Sequence, residues 1–135
     1  MSKYLLDTDI CIYSMKGMFS INEKIQSIGI EHCYISEITV LELTYGVENS
    51  HDSKKANNQN KLKSMLKSMK VVPLNTCMHL FAKEKVNLKR QGNLIDNFDL
   101  IIGCTAVAND MILVTRNTKH FQRIHNIRIE NWATS

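Results

Sequence analysis

The stretch KYLLDTDICIY, residues 3–13, decides how the chain is read. Tyr4, Leu5 and Leu6 form an apolar run with the character of a short buried strand. The run stops at Asp7-Thr8-Asp9, and apolar residues resume at Ile10 and Ile12. A helix is expected from Thr8 to about Lys16, with Thr8 or Asp9 near its N-cap. A strand that feeds straight into a helix is the start of an alternating pattern. Its cost is two carboxylates at the tip of a core strand. Such a group must be solvated, paired or bound to a cation, because an isolated buried charge is very unfavourable.

The alternation continues along the chain. Residues 21–28 place Ile21, Ile25 and Ile28 on one helical face, and residues 32–36 read as a second strand. The segment SEITVLELTYGVENS turns from strand into helix, with Ile38, Leu41, Glu42 and Tyr45 at helical spacing and Ser36 as a cap. Residues 50–60 have the most loop-like composition. Leu62, Met65, Leu66 and Met69 then define an amphipathic helix over 61–70, with Lys63, Lys67 and Lys70 on another face. VVPL, 71–74, is a third strand, which Pro73 assigns to an edge or an end. A helix over 76–91 closes at Gly92. An apolar helix follows over 98–110, then a strand in MILVTRN, a helical turn in TKHFQRI and a last strand in IRIENW. The prediction is an α/β fold, a three-layer α/β/α sandwich with a mostly parallel central sheet.

Composition narrows the class. A chain of 135 residues suggests one domain over 1–135 and can bury a full core without disulfides. Hydrophobic content of 44% against 22% charged argues against disorder. The net charge of +4 is only a mild bias toward anionic partners. Cys11, Cys33, Cys77 and Cys104 form no CxxC pair, and no two histidines stand at i, i+4, so zinc lacks its ligand spacing. The first apolar run is broken by Asp7 and Asp9, so it is expected to be neither a signal peptide nor a membrane span. Reduced, buried thiols in a cytoplasmic protein are the expectation.

Parallel sheets build sites outside the C-terminal ends of their strands. Asp7 ends the first strand, Glu42 lies in the helix after the second, Asp99 opens the apolar helix, and Asn117 follows the strand 111–115. Four polar positions far apart in sequence can therefore gather at one sheet edge. Mg²⁺ and Mn²⁺ take hard oxygen ligands. A cation held by such carboxylates can orient a water, lower its pKa and stabilise charge on a phosphate. No GxSxG or P-loop motif is present, so acyl transfer and P-loop chemistry lack support. Each residue also has a plainer reading. Asp7 reads as a helix cap, Glu42 as a solvated helical side chain, and Asp99 and Asp96 as favourable charge at a helix N-terminus. Residue types and spacing leave a metal nuclease as one option among several.

The segments LLDTDICIY, ISEITVLELTYGVENS, GNLIDNFDLIIGCTAVANDMILVTRNTKHF and IENW resemble, in order and spacing, the PIN-domain family, specifically the VapC-type toxins of bacterial toxin–antitoxin pairs. The resemblance runs from about residue 4 to 132, and over 50–91 it is limited to helical character. It implies one PIN-like nuclease domain that hydrolyses phosphodiester bonds in a structured RNA, with transfer RNA among the candidates. It implies Mg²⁺, with Mn²⁺ able to substitute, on the acidic positions Asp7, Glu42 and Asp99. It also implies a VapB-like antitoxin partner and a homodimer.

The chain departs from the family pattern at three points. Asp9 stands where many relatives carry Asn. His120 and Gln122 flank Phe121 where many relatives carry an acid, and Asn117 offers only a neutral oxygen. Glu84 falls on the apolar stripe of Cys77, Leu80, Phe81 and Leu88, as a helix-edge or partner-facing group. Lys63, Lys67 and Lys70, after Lys54 and Lys55, are a candidate RNA surface and equally an ordinary solvated face. Arg116, beside Asn117, is a candidate for a phosphate or for Asp7, and Lys89 and Arg90 are further cations. His120 reads as a surface or capping group or a proton shuttle, Tyr45 and Phe98 as core or site-wall packing. The rival reading is a degenerate PIN domain that binds RNA or a protein without catalysis. A DNA nuclease on the same fold shares the site.

Overall fold

The computed structural model describes residues 2–134. Strand β1, Tyr4–Leu6, lies at the centre of a five-stranded parallel sheet of order β3-β2-β1-β4-β5. The partners are β2 (Cys33–Ser36), β3 (Lys70–Val72), β4 (Ile112–Val114) and β5 (Ile129–Glu130). The chain winds outward from β1 through β2 to β3, crosses back to β4 and winds outward again. Connections on the two sides of the β1/β4 pair therefore run in opposite directions. The C-terminal ends of these two strands, where Asp7 and Thr115 emerge, are the switch point at which such sheets form a crevice.

Strand geometry sends successive side chains to opposite faces, so each strand feeds two cores. Leu6, Ile35 and Val114 join one cluster with Ile10, Ile25, Leu43, Leu62 and Met65. Leu5 and Leu113 join the other with Leu88, Leu100, Ile102 and Phe121. Helices α1 (Thr8–Lys16), α2 (Ile21–Ile28) and α4 (Asp52–Ser68) cover the first face. Helices α5 (Met78–Arg90) and α6 (Asn97–Ala108) cover the second. Helix α3 (Glu37–Glu48) contributes to both, through Leu43 and Val47 on one side and Ile38 on the other. The one-turn helix α7 (Thr118–Phe121) closes the β4–β5 connection. This is the expected three-layer sandwich. All four cysteines are free and buried. Among the described residues no helix is long and apolar enough to cross a membrane.

The main departure from expectation is at 50–60, which is helix rather than loop. Helix α4 starts at Asp52, with His51 Nδ1 accepting from the Ser53 N–H at 3.2 Å. No Gly or Pro interrupts this stretch, and Leu62 and Met65 further along anchor it to the core. Polar composition says loop, but continuity with a packed helical stripe overrides it. Helix α4 ends at Ser68, so Lys70 begins β3 instead of extending the basic face. Pro73 ends β3 at the sheet edge, as its missing N–H requires.

Glu84 is neither at a helix edge nor facing a partner. It is buried, and its Oε1 accepts the His125 N–H at 2.9 Å. The bond ties α5 to the loop after α7. Removing the acceptor strands a backbone donor, which costs about 1–3 kcal/mol. Glu84→Ala is expected to lose that much in urea unfolding, while Glu84→Gln, which keeps the acceptor, loses less than about 1 kcal/mol. An unchanged urea midpoint in Glu84→Ala would show that the bond contributes nothing.

Candidate active site

Asp7 caps α1: its Oδ1 accepts the Thr8 N–H at 2.8 Å. Its Oδ2 accepts the Thr115 hydroxyl at 2.7 Å, and its own N–H donates to the Val114 carbonyl at 2.9 Å. The cap reading is thus correct. Two hydrogen bonds hold the carboxyl in one rotamer at the β1/β4 crevice. Only 6% of the residue is exposed, and burial pushes its pKa up to about 7, with the negative charge of Asp9 adding to the effect and the bonds from Thr115 and Thr8 opposing it.

Asp9 lies one step along. Its Oδ2 accepts the Arg116 N–H at 3.2 Å, while Oδ1 is buried without a hydrogen-bond partner. Burial raises its pKa as well, against the pull of the Arg116 and Ile10 N–H groups. An orphaned buried carboxylate oxygen beside Asp7 is costly unless something positive meets it.

Glu42 reaches the same crevice from α3. The Thr8 hydroxyl donates to its Oε1 at 2.6 Å. The Thr8 and Thr39 hydroxyl oxygens are 3.1 Å apart, and Ser36, the α3 cap, donates to Thr39 at 3.1 Å. A chain of hydroxyls thus links the end of β2 to the glutamate. Asp99 enters from the first turn of α6, held there by Asp96, whose Oδ2 caps the Phe98 N–H at 3.1 Å. His120 Nε2 lies 3.3 Å from Asp99 Oδ2, and both side chains are half-buried. Burial raises the Asp99 pKa, His120 opposes this, and the charges of Asp96, Glu42 and Asp9 add to it.

The structure thus brings Asp7, Asp9, Glu42 and Asp99 into one electrostatic neighbourhood. It does not pack them tightly: among the described residues no three His, Cys, Asp or Glu side chains are grouped closely enough to hold one ion by direct contact. Mg²⁺ is compatible with that spacing, because it keeps several waters and takes only one or two carboxylates directly. The all-oxygen acids and the orphaned Asp9 oxygen fit such a cation.

Asn117 is exposed, and its ordered contact is through the backbone, its N–H donating to the Thr115 hydroxyl at 3.0 Å. Arg116 reaches Tyr13, at 3.1 Å from Nη1 to the phenol oxygen, rather than Asp7. Lys63 and Lys67 are exposed on α4, and Lys70 is exposed on the edge strand. Tyr45 and Phe98 are not core: they are 69% and 41% exposed, and Leu41 is 54% exposed. Two hydroxyls that hold the candidate acids were missed in the sequence, those of Thr8 and Thr115. The available signal was position, since Thr8 stands two residues beyond the end of β1 and Thr115 one residue beyond the end of β4.

Comparison with known proteins identifies the family. The PIN-domain family profile matches residues 4–126. The chain is 36% identical over 132 residues to ribonuclease VapC2 of Rickettsia felis, covering 96% of this chain and 97% of that one. It is 30% identical over 135 residues to the tRNA(fMet)-specific endonuclease VapC of Shigella flexneri, covering 98% and 100%. The DNA-bound VapBC crystal structure from Salmonella typhimurium superposes with a TM-score of 0.88 at 30% identity, covering 98% of this chain and 99% of that one.

Proposed function

The chain belongs to the PIN-domain family, and within it to the VapC-type ribonucleases; from that premise we propose that it is a divalent-cation-dependent endoribonuclease toxin. The whole chain acts as one nuclease domain. Asp7, Glu42 and Asp99 hold Mg²⁺, for which Mn²⁺ can substitute, and Asn117 lends a neutral oxygen at the rim. The observation that carries this reading is Asp7, sealed at the crossover crevice by Thr115 and lying beside an orphaned Asp9 oxygen. Bound there, the cation would supply Lewis-acid stabilisation of charge on a phosphate.

The protein's own groups do the rest. Thr115 and the Thr8 N–H orient the Asp7 carboxyl, and the Thr8 hydroxyl orients Glu42. His120 steadies Asp99. Lys63, Lys67 and Lys70 add exposed positive charge that draws in a polyanion. By analogy with the Shigella flexneri relative, the substrate is initiator transfer RNA. The partner is a VapB-like antitoxin, as in the solved VapBC complexes. A cleft of about 690 Å³ beside Glu42, bordered by Ile12, Met15, Leu43 and Val47, offers it a seat. The exposed Leu41, Tyr45 and Phe98 are the surface for a second copy in a homodimer.

The test is cleavage of total bacterial RNA by the purified chain, free of antitoxin, in Mg²⁺, Mn²⁺ or EDTA. Discrete cuts that need metal are expected, and Asp99→Asn should lower their rate at least about a hundredfold. The loose spacing of the acids favours one rival, a binding domain without catalysis. Cuts that persist in EDTA and in Asp99→Asn would refute the metal site, and RNA binding without any cut would favour the rival.

A further inference from the structure

The link between α1 and α2 is strained. Phe19 and Ser20 sit consecutively in the left-handed region, at φ 57° and 55°, which is unfavourable for residues with a Cβ. Ser20 precedes α2 yet makes no capping bond with its side chain, so helix capping does not offset the strain. What the conformation achieves is contact. Phe19 packs edge-on against Tyr13, with ring centroids 4.8 Å apart. The Arg116 guanidinium lies over both rings, 5.0 Å from the Phe19 centroid and 5.9 Å from that of Tyr13.

Arg116 is thereby held at both ends. Its N–H donates to Asp9, and its Nη1 donates to the Tyr13 hydroxyl at 3.1 Å. It directly follows Thr115, the residue that fixes Asp7. The residue is exposed, and among the described residues it forms no salt bridge within 4 Å. A guanidinium carries five N–H donors, and only one is used on Tyr13. The result is an immobilised cation, free of a direct ion pair, beside a cluster of carboxylates that by itself repels nucleic acid.

We propose that Arg116, clamped by Tyr13 and Phe19, binds a backbone phosphate of the RNA strand next to the acidic crevice; this rests on the ribonuclease reading. Ring stacking limits the side-chain freedom that binding would otherwise have to remove, and the planar fork matches phosphate oxygens. Lysine would keep the charge and lose the fork. Phe19 is a positioning residue, acting through the guanidinium.

The experiment is fluorescence anisotropy with a labelled bacterial initiator tRNA transcript in EDTA, where binding is read without cleavage. Arg116→Ala should weaken binding about tenfold and lower the slope of log affinity against log salt by about 1. Arg116→Lys should recover the slope and only part of the affinity. Phe19→Leu should fall between wild type and Arg116→Ala. In Mg²⁺ the loss in Arg116→Ala should fall on KM more than on kcat. Equal affinity and equal slope in wild type and Arg116→Ala would overturn the assignment, and a lowered melting temperature alongside would mark Arg116 as a loop strap. The two readings fail separately. A wild type that cuts no RNA defeats the nuclease, whereas a cutting wild type matched in affinity by Arg116→Ala defeats only the phosphate site.

Discussion

Asp7→Asn is expected to cut RNA cleavage by a hundred- to a thousand-fold while making the metal-free protein more stable above neutral pH. The two effects share one cause. The Asp7 carboxyl is buried beside Asp9, and its pKa rises from 3.8 to about 7. The folded chain therefore holds a proton that the unfolded chain releases. Stability from this group is fully present below about pH 4 and is lost as pH climbs to about 7. Above that, the buried charge costs on the order of 4 kcal/mol. Asparagine mimics the protonated acid at every pH and still accepts the Thr8 N–H. Melting curves in EDTA should nearly coincide at pH 4–5 and separate by pH 8, with the variant higher. A variant that melts lower than wild type at pH 8 would show that Asp7 is a structural ion, not a stored cost released by a cation.

Phe121→Ala is expected to cost about 3–5 kcal/mol and to lower the melting temperature by roughly 10–15 °C. Phe121 is fully buried at the end of α7, a helix of four residues. Such a short helix has no stability of its own and is held by this one ring. Gly103 on α6 makes room for it: a Cβ there would approach Phe121 Cδ1 to 3.3 Å and would overlap the Ile124 side chain. Losing the ring frees α7, and with it the His120 contact to Asp99. Activity per folded molecule should therefore fall as well. Phe121→Leu, which keeps most of the apolar volume, should lose less than half as much stability. Equal melting of Phe121→Ala and wild type would show that the α6–α7 contact is not part of the core.

Much of this was legible in the chain itself. The strand-to-helix junction at Leu6-Asp7-Thr8, the capped helix after Ser36 and the apolar helix after Asp96 all carry local signals, because caps and apolar periodicity act over a few residues. The alternation of strands and helices decided the layered architecture, and the strand ends picked out Asp7, Glu42 and Asp99. Helix α4 was misread over 50–60 because its local composition is polar and its anchors, Leu62 and Met65, lie further on. Glu84 was misread because its partner, the His125 N–H, is 41 residues away.

The sequence alone therefore determined most of the elements and the family to which the chain belongs, and it marked the candidate acids. Only the tertiary structure decided the chemistry around those acids. It put the Thr115 hydroxyl on Asp7 across 108 residues, the Thr8 hydroxyl on Glu42 across 34, and Arg116 on Tyr13 across 103. The parallel pairing of β1 with β4 set Asp7 in a buried position, where its pKa rises to about 7. Burial and pairing are properties of position in space, and no local pattern of residues encodes them.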